Sequence, residues 1–237
     1  MIFASPHSGR DYPAEFLAQA VLDRRSIRSS EDAFVDELFD MAPQMGAALL
    51  AARAPRAYID LNRAADELDP AVIEGLARVP HNPRISSGLG VIPRVVAGGL
   101  AIYRGKLSLA DAEVRLKRFW HPYHQALAAL IEEVRAEYGQ VVLIDCHSMP
   151  HEAIEAHTRP GHPRPEVVLG DRYGAGRGGF LGGRAAGGSE RSVRGRLRGA
   201  GLWPAVTRCA CGSGRDRPGA LHGRGAGRTA GRVRGLP

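Results

Sequence analysis

Two histidines, an aspartate and a pair of arginines lie far apart in this chain, each at a point where the sequence turns. His7 stands in Ser5-Pro6-His7-Ser8-Gly9, Asp32 follows Ser29-Ser30-Glu31, and His147 sits in Asp145-Cys146-His147-Ser148. Two imidazoles and one carboxylate with a fourth position left open are the donor set of a catalytic zinc site. Arg56, Asn62 and Arg63 occupy one short stretch, RAYIDLNR. Arginine forks onto carboxylates bidentately, so two arginines and an asparagine fit a carboxylate clamp. A salt bridge inside the stretch, from Asp60 to an arginine, accounts for the same residues equally well. Asp32 likewise reads either as a ligand or as an acid favoured by a helix's first turn.

The elements that must position these groups follow from the apolar pattern. Val141 to Ile144, with Cys146 beyond an acid, read as a buried strand that Pro150 stops. Ligands of open α/β sheets bind outside the carboxyl ends of strands, which is where Asp145, His147 and Ser148 fall. Met1 to Ser5 reads as the end of another strand, running into a loop with His7. Ser29-Ser30 ahead of acids, then Phe34, Val35, Leu38, Phe39 and Met41, predict a helix with Asp32 in its first turn. Gly46 to Ala54 predicts a helix end and a strand. Tyr58 and Ile59, set among polar residues, predict a further strand whose end carries Asp60, Asn62 and Arg63. Residues 80–105, rich in Pro and Gly, predict a long loop over the site, and their glycines match no phosphate-loop pattern. Ser108 to Tyr138 is the clearest helix, with Leu116, Phe119, Trp120, Tyr123, Leu127, Leu130, Ile131 and Val134 as its apolar face. Pro122 is expected to kink or break it and Gly139 to end it, while His121 and His124 are expected to pack or face solvent. Val167 to Asp171 reads as one more strand, and the alternation of helix and strand makes the class α/β.

Composition divides the chain. Between Asp171 and Pro237 there are fourteen arginines, no lysine and three acids, a balance of +11 that leaves −4 for the rest of a chain whose net charge is +7. A basic tail suggests nucleic acid, yet this one lacks the interleaved aromatics on which bases stack, with Trp203 and Phe180 its sole Trp and Phe. No apolar run approaches the roughly 20 residues of a membrane span, and no leader pattern opens the chain. Three cysteines outside any framework fit a reducing cytoplasm.

The motifs together resemble the N-formylglutamate amidohydrolase (deformylase) family. The likeness runs through Ser5-Pro6-His7-Ser8-Gly9, Glu31-Asp32, Arg56 to Arg63, Pro122-Tyr123-His124, Asp145-Cys146-His147-Ser148 and Val168-Leu169-Gly170-Asp171-Arg172. More distantly, Arg…Asp-Leu-Asn-Arg looks like the zinc carboxypeptidases. The resemblance implies a phosphorylase/hydrolase-like fold, a mixed central sheet flanked by helices, and hydrolysis of N-formyl-L-glutamate in histidine breakdown. It implies a divalent metal, zinc for choice, on His7 and His147, with Asp32 as third ligand and Glu31 as the alternative. The distant relatives keep an acid three residues after the first histidine, where this chain has Arg10. Asn62 and Arg63 would hold the substrate carboxylate, Arg56 would polarise the scissile carbonyl, and Asp145 and Ser148 would stand behind the ligands. The partner implied is a small N-acyl amino acid, with the oligomeric state left open.

The likeness covers about residues 1–175, an incomplete metallohydrolase-like domain, and leaves 176–237 as an Arg/Gly/Ala-rich tail. The family takes its general base from a glutamate near the C-terminus, in a stretch of the type HAVQVEI-x-R. No such stretch exists here. Back-translated freely and read one nucleotide later, Ala210 to Thr229 permits HAVQVEIDRALYMDEARVE, which predicts a shift of frame soon after Ala175. The tail is then an out-of-frame, disordered segment. A deacylase of another N-acyl amino acid is the neighbouring possibility, and nucleic-acid binding through the tail a more remote one.

Overall fold

In the computed structural model the residues described are 1–76, 82–150, 152, 167–171, 206–212 and 233–234. β1 (Ile2–Ser5) lies at the centre of a six-stranded sheet. β2 (Ala48–Ala51) flanks it on one side and β3 (Leu143–Met149) on the other, both parallel to it. The register sets Ile2 beside both Ala48 and Leu143. Strands covered on both faces are continuously apolar, and Ile2 and Ala4 are buried accordingly. Because the three strands run the same way, their carboxyl ends share one edge, and His7 and His147 arrive there from neighbouring strands.

The predicted strand at Val167–Asp171 forms as β4. It runs antiparallel to β5 (Val206–Gly212), which is itself parallel to β3 along the whole of Leu143–Met149. β6 (Val233–Arg234) completes the order beside β2. The sheet is therefore mixed, and the Arg/Gly-rich tail supplies two of its strands. The other residues of 176–237 lie outside the described ones.

After the short helices α1 (Ala14–Gln19), α2 (Val35–Leu38) and α3 (Pro83–Ser86), the long helix begins as α4 (Leu109–Arg115) and continues as α5 (His121–Tyr138). Ser108 caps it, its hydroxyl accepting the Asp111 N–H at 3.1 Å. Gly139 closes it with φ +71, the left-handed turn that glycine adopts at no steric cost. Pro122 does not break it. The five residues Leu116–Trp120 form one wide π-type turn just ahead of the proline. A proline ring clashes with the carbonyl four residues back and offers it no N–H; a widened turn accommodates both. Leu127, Leu130, Ile131 and Val134 pack on Ile2, Ala4 and Leu143, while Val35 and Phe39 pack near Ile144 and Cys146 on the other side.

Two further expectations are corrected. The helix expected after Ser29-Ser30 is one turn, α2 (Val35–Leu38), and no serine caps it. Its preceding residue is Phe34 at φ +65, so the chain reverses between Asp32 and the helix. Arg56 to Arg63 is not a strand but consecutive turns, with Tyr58 and Ile59 N–H groups both donating to the Pro55 carbonyl. Buried Arg115 fixes this segment, donating to the Tyr58 carbonyl (3.1 Å), the Tyr103 hydroxyl (2.7 Å) and Gln19 (3.2 Å). Among the described residues no helix is long and apolar enough to cross a membrane.

Candidate metal centre

His7 follows β1 by two residues in a loop that crosses the chain leaving β2. The crossing is close. A Cβ on Gly9 would come within 2.6 Å of the Arg53 carbonyl oxygen and closer still to that of Ala54, so glycine alone fits. The Ser5 hydroxyl donates to that of Ser8 across the same turn. The His7 carbonyl accepts the Asp32 N–H at 3.0 Å, which ties the first histidine to the aspartate through the backbone.

His147 comes from β3. Alternation along a strand puts Asp145 and His147 on one face and Ile144 and Cys146 on the other, and the latter pair is buried with Val35. The structure brings the three expected groups together. Asp32 Oδ2 lies 2.8 Å from His147 Nδ1 and 3.4 Å from His7 Nδ1. The three donor atoms fall within 4.8 Å of one another.

Each imidazole turns its other nitrogen to a carboxylate. His7 Nε2 meets Asp60 Oδ1 at 2.8 Å, and His147 Nε2 meets Asp145 Oδ1 at 3.0 Å. Such a carboxylate keeps the proton on Nε2 and leaves Nδ1 to coordinate. His7 Nδ1 bears this out as a buried nitrogen with no hydrogen-bond partner among the described residues, since Asp32 stands off the hydrogen-bond direction. Buried polar atoms are nearly always satisfied, so an orphaned imidazole nitrogen beside a carboxylate and a second imidazole fits a divalent cation.

Glu31 is engaged elsewhere. Its carboxylate accepts from the Tyr12 hydroxyl at 2.6 Å and from Arg28. Arg10 pairs with Asp36 and Glu37 and lies over the Phe34 ring, so it braces the turn after Asp32. The Ser148 hydroxyl donates to Asp32 Oδ1 at 3.4 Å.

The RAYIDLNR turns gather round Asp60, which is 1 % exposed. Besides His7 it receives Arg56 Nε at 3.2 Å and the Asn62 N–H at 2.9 Å, with Arg63 Nε at 3.8 Å. Arg63 also donates to the Leu89 and Asn62 carbonyls, which fixes the plane of its guanidinium. The Asn62 amide donates to Asp145 Oδ2 at 3.3 Å and sits against His147 Nε2. The long helix grips the segment from behind, Trp120 donating to the Arg63 carbonyl and His124 to that of Leu61, both at 2.9 Å.

Burial alone would raise the carboxyls of Asp32 and Asp60, but their partners prevail. His147 and His7 hold Asp32 well below the usual carboxylate range; His7, Arg56 and Arg63 do the same for Asp60. Burial would lower His147, yet Asp145 and Asp32 raise it to about 9. Burial lowers His124 to about 4, so it is a neutral packing residue, as expected.

The ion pair from Asp60 to Arg56 that the stretch allows does form, and Asp60 does more. The same carboxylate is the partner of His7, a contact across 53 positions of sequence. The signal available was an acid with arginines at i−4 and i+3 and an asparagine at i+2, three cationic or polar neighbours for one buried group.

Relatives agree in name. A deformylase of Pseudomonas aeruginosa is 29% identical over 178 residues, 74% of this chain and 60% of that protein. A deformylase of Pseudomonas putida is 26% identical over 151 residues, 63% of this chain and 51% of that one. Both are named N-formylglutamate deformylase. The crystal structure of N-formylglutamate amidohydrolase from Ralstonia eutropha JMP134 superposes with a TM-score of 0.65 at 38% identity, over 73% of this chain and 62% of that one. This chain thus spans about half to three fifths of the curated relatives' length. The family model of N-formylglutamate amidohydrolase matches residues 1–193. A match of that extent, far longer than any one motif, means that the chain belongs to the N-formylglutamate amidohydrolase family.

Proposed function

We propose that this chain carries the metal-binding half of an amidohydrolase site for N-formyl-L-glutamate, yielding formate and L-glutamate in histidine breakdown. The observation that carries the proposal is the convergence of His7 Nδ1, Asp32 Oδ2 and His147 Nδ1, each imidazole backed by its own aspartate. Two imidazoles and a carboxylate suit zinc, which when bound supplies a water acidic enough to act as a nucleophile near neutral pH. The phosphorylase/hydrolase-like kinship with zinc carboxypeptidases is part of the same proposal.

The chain's own residues supply the rest. Arg56, partly exposed with Nε on Asp60, polarises the scissile carbonyl of the formamide. Arg63, held in plane by two backbone carbonyls, receives the α-carboxylate with Asn62 beside it. Asp145 orients His147, and Ser148 orients Asp32.

The C-terminal glutamate expected as general base has no counterpart motif in this sequence. A general base contributes about 10²–10⁴-fold, so the chain as written is expected to bind zinc and substrate but turn over slowly. We attribute the loss to a shift of frame after Ala175. A read of the coding DNA from codon 165 past the stop tests that: an intact frame overturns it.

The function itself is tested by stripping and restoring zinc, then measuring formate release and zinc stoichiometry for the wild type and for His147→Ala. One zinc per chain, lost in the variant, with slow zinc-dependent formate release, is expected. Zinc retained by the variant, or no binding of N-formyl-L-glutamate, overturns the proposal.

A further inference from the structure

Arg84 is the odd member among the arginines around this site, joined to Arg63 through Leu89 and acting on its charge as Arg56 does. Asp60 is within ion-pair reach of Arg56 and Arg63. For Arg84 no carboxylate lies within that reach among the described residues, and its guanidinium has no hydrogen-bond acceptor there. Glu67 turns its oxygens to the Ala64 N–H and the Asn82 amide.

The position of Arg84 is built rather than loose. It lies in α3 (Pro83–Ser86), and the Asn82 side chain accepts its N–H at 3.0 Å. Its carbonyl accepts the Leu89 N–H at 2.8 Å, and the Leu89 carbonyl accepts Arg63 Nε at 3.0 Å. The two arginines are thus joined through the two ends of one residue. Their charges act on each other, together with that of Arg56. Like charges held together in partial burial are unfavourable unless an anion joins them.

We infer that Arg84 is a specificity-determining residue that receives a second carboxylate, that of the acidic side chain of an N-acyl dicarboxylic amino acid. This rests on the proposed function, in which Arg63 and Asn62 take the α-carboxylate and Arg56 the acyl oxygen. Arg84 then distinguishes a dicarboxylate from a monocarboxylate of the same size. Arginine suits the task because its fork matches a carboxylate with two parallel hydrogen bonds.

Binding to the zinc-loaded full chain, measured by calorimetry, tests it with N-formyl-L-glutamate and N-formyl-L-glutamine. The two ligands are nearly isosteric, the glutamine side chain being uncharged and carrying an NH2 donor in place of one carboxylate oxygen. Wild type is expected to favour the glutamate derivative by about 10- to 100-fold, the range for a hydrogen-bonded charge pair. Arg84→Met is expected to bring that ratio close to one while changing glutamine-derivative affinity less than threefold. Arg84→Lys is expected to recover part of the ratio, and unfolding temperatures of both variants should match wild type.

An unchanged ratio in Arg84→Met overturns the inference and leaves the proposed function standing. A wild-type ratio near one, with both ligands bound, also overturns the inference, since no group then reads the side-chain charge, and leaves the metal-site reading standing. If wild type binds neither ligand, the proposed function falls and this inference with it.

Discussion

At the scale of single residues, Asp60 is worth more than its ion pairs. It holds His7 by Nε2, so Asp60→Asn exchanges a charged acceptor for an amide that no longer selects one tautomer. Loss of such a partner typically lowers metal affinity 10–100-fold, and competition with a chromophoric zinc chelator is expected to show a loss in that range. Arg56 and Arg63 lose their shared counter-charge in the same variant, so the unfolding temperature should fall as well. His147 makes a second prediction. With Asp145 and Asp32 on its two nitrogens it stays protonated up to about 9 in the metal-free protein. Zinc must displace the proton on Nδ1, so binding at pH 7.5 is expected to release about one proton per chain. Calorimetry in buffers of different ionisation enthalpy measures that number, and a value near zero contradicts the arrangement.

At the scale of elements, the legible parts of the sequence were those whose burial is periodic and local. Ile2–Ser5, Leu143–Met149 and the helix from Leu109 to Tyr138 follow from apolar spacing, with Ser108 and Gly139 marking the helix ends as expected. The types of His7, Asp32 and His147 pointed to a metal set before any geometry was known. What the pattern could not give was the turn structure of Arg56 to Arg63, because Tyr58 and Ile59 are buried by distant partners rather than by a strand's neighbours. Arg115 is the chief of these, 57 positions away from Tyr58, with its guanidinium 4.2 Å from the centre of that ring. Arg115→Lys keeps the charge but loses the planar fork and the stacking. Urea unfolding is expected to show a loss of about 2–3 kcal/mol, the scale of a buried network with unsatisfied members. An effect below about 0.5 kcal/mol would reduce Arg115 to a bystander. Phe34 was equally hidden: nothing in its neighbours announced a left-handed residue between Asp32 and α2.

At the scale of the whole molecule, two histidines pull stability in opposite directions with pH. His124 is held neutral, with its pKa lowered to about 4. As pH falls below 6.5 the unfolded chain takes up that proton first, so stability is full above 6.5 and is lost toward pH 4. His147 is raised, so its contribution in the metal-free protein is full below 6.5 and is lost as pH rises through about 9. Melting temperatures of the metal-free chain should therefore peak near neutral pH. His124→Gln, which keeps an N–H for the Leu61 carbonyl, is expected to flatten the acid limb alone. The tail also matters at this scale. β5 pairs with β3 over seven residues and is the partner of β4. Removing residues 206–237 uncovers the edge of the strand that carries His147, and exposed edges invite association between chains. Size-exclusion chromatography of the truncated chain is expected to show aggregates, whereas a monodisperse product with normal zinc stoichiometry would make the tail dispensable.

The wide turn at Leu116–Trp120 sets the phase of the long helix. An ordinary helix advances about 100° per residue, so one surplus residue in a turn rotates everything beyond it relative to everything before. Arg115 precedes that step and reaches the Tyr58 carbonyl; His124 follows it and reaches that of Leu61. One rod thus clasps the same short segment at two points three residues apart, with its two halves clocked differently. Deleting a single residue between Leu116 and Trp120 would put an ordinary turn ahead of Pro122 yet keep most of the helical signal in circular dichroism. It would nonetheless swing His121 to Tyr138 by about a quarter turn, releasing Trp120 from Arg63 and disturbing the candidate metal site without touching one of its donors.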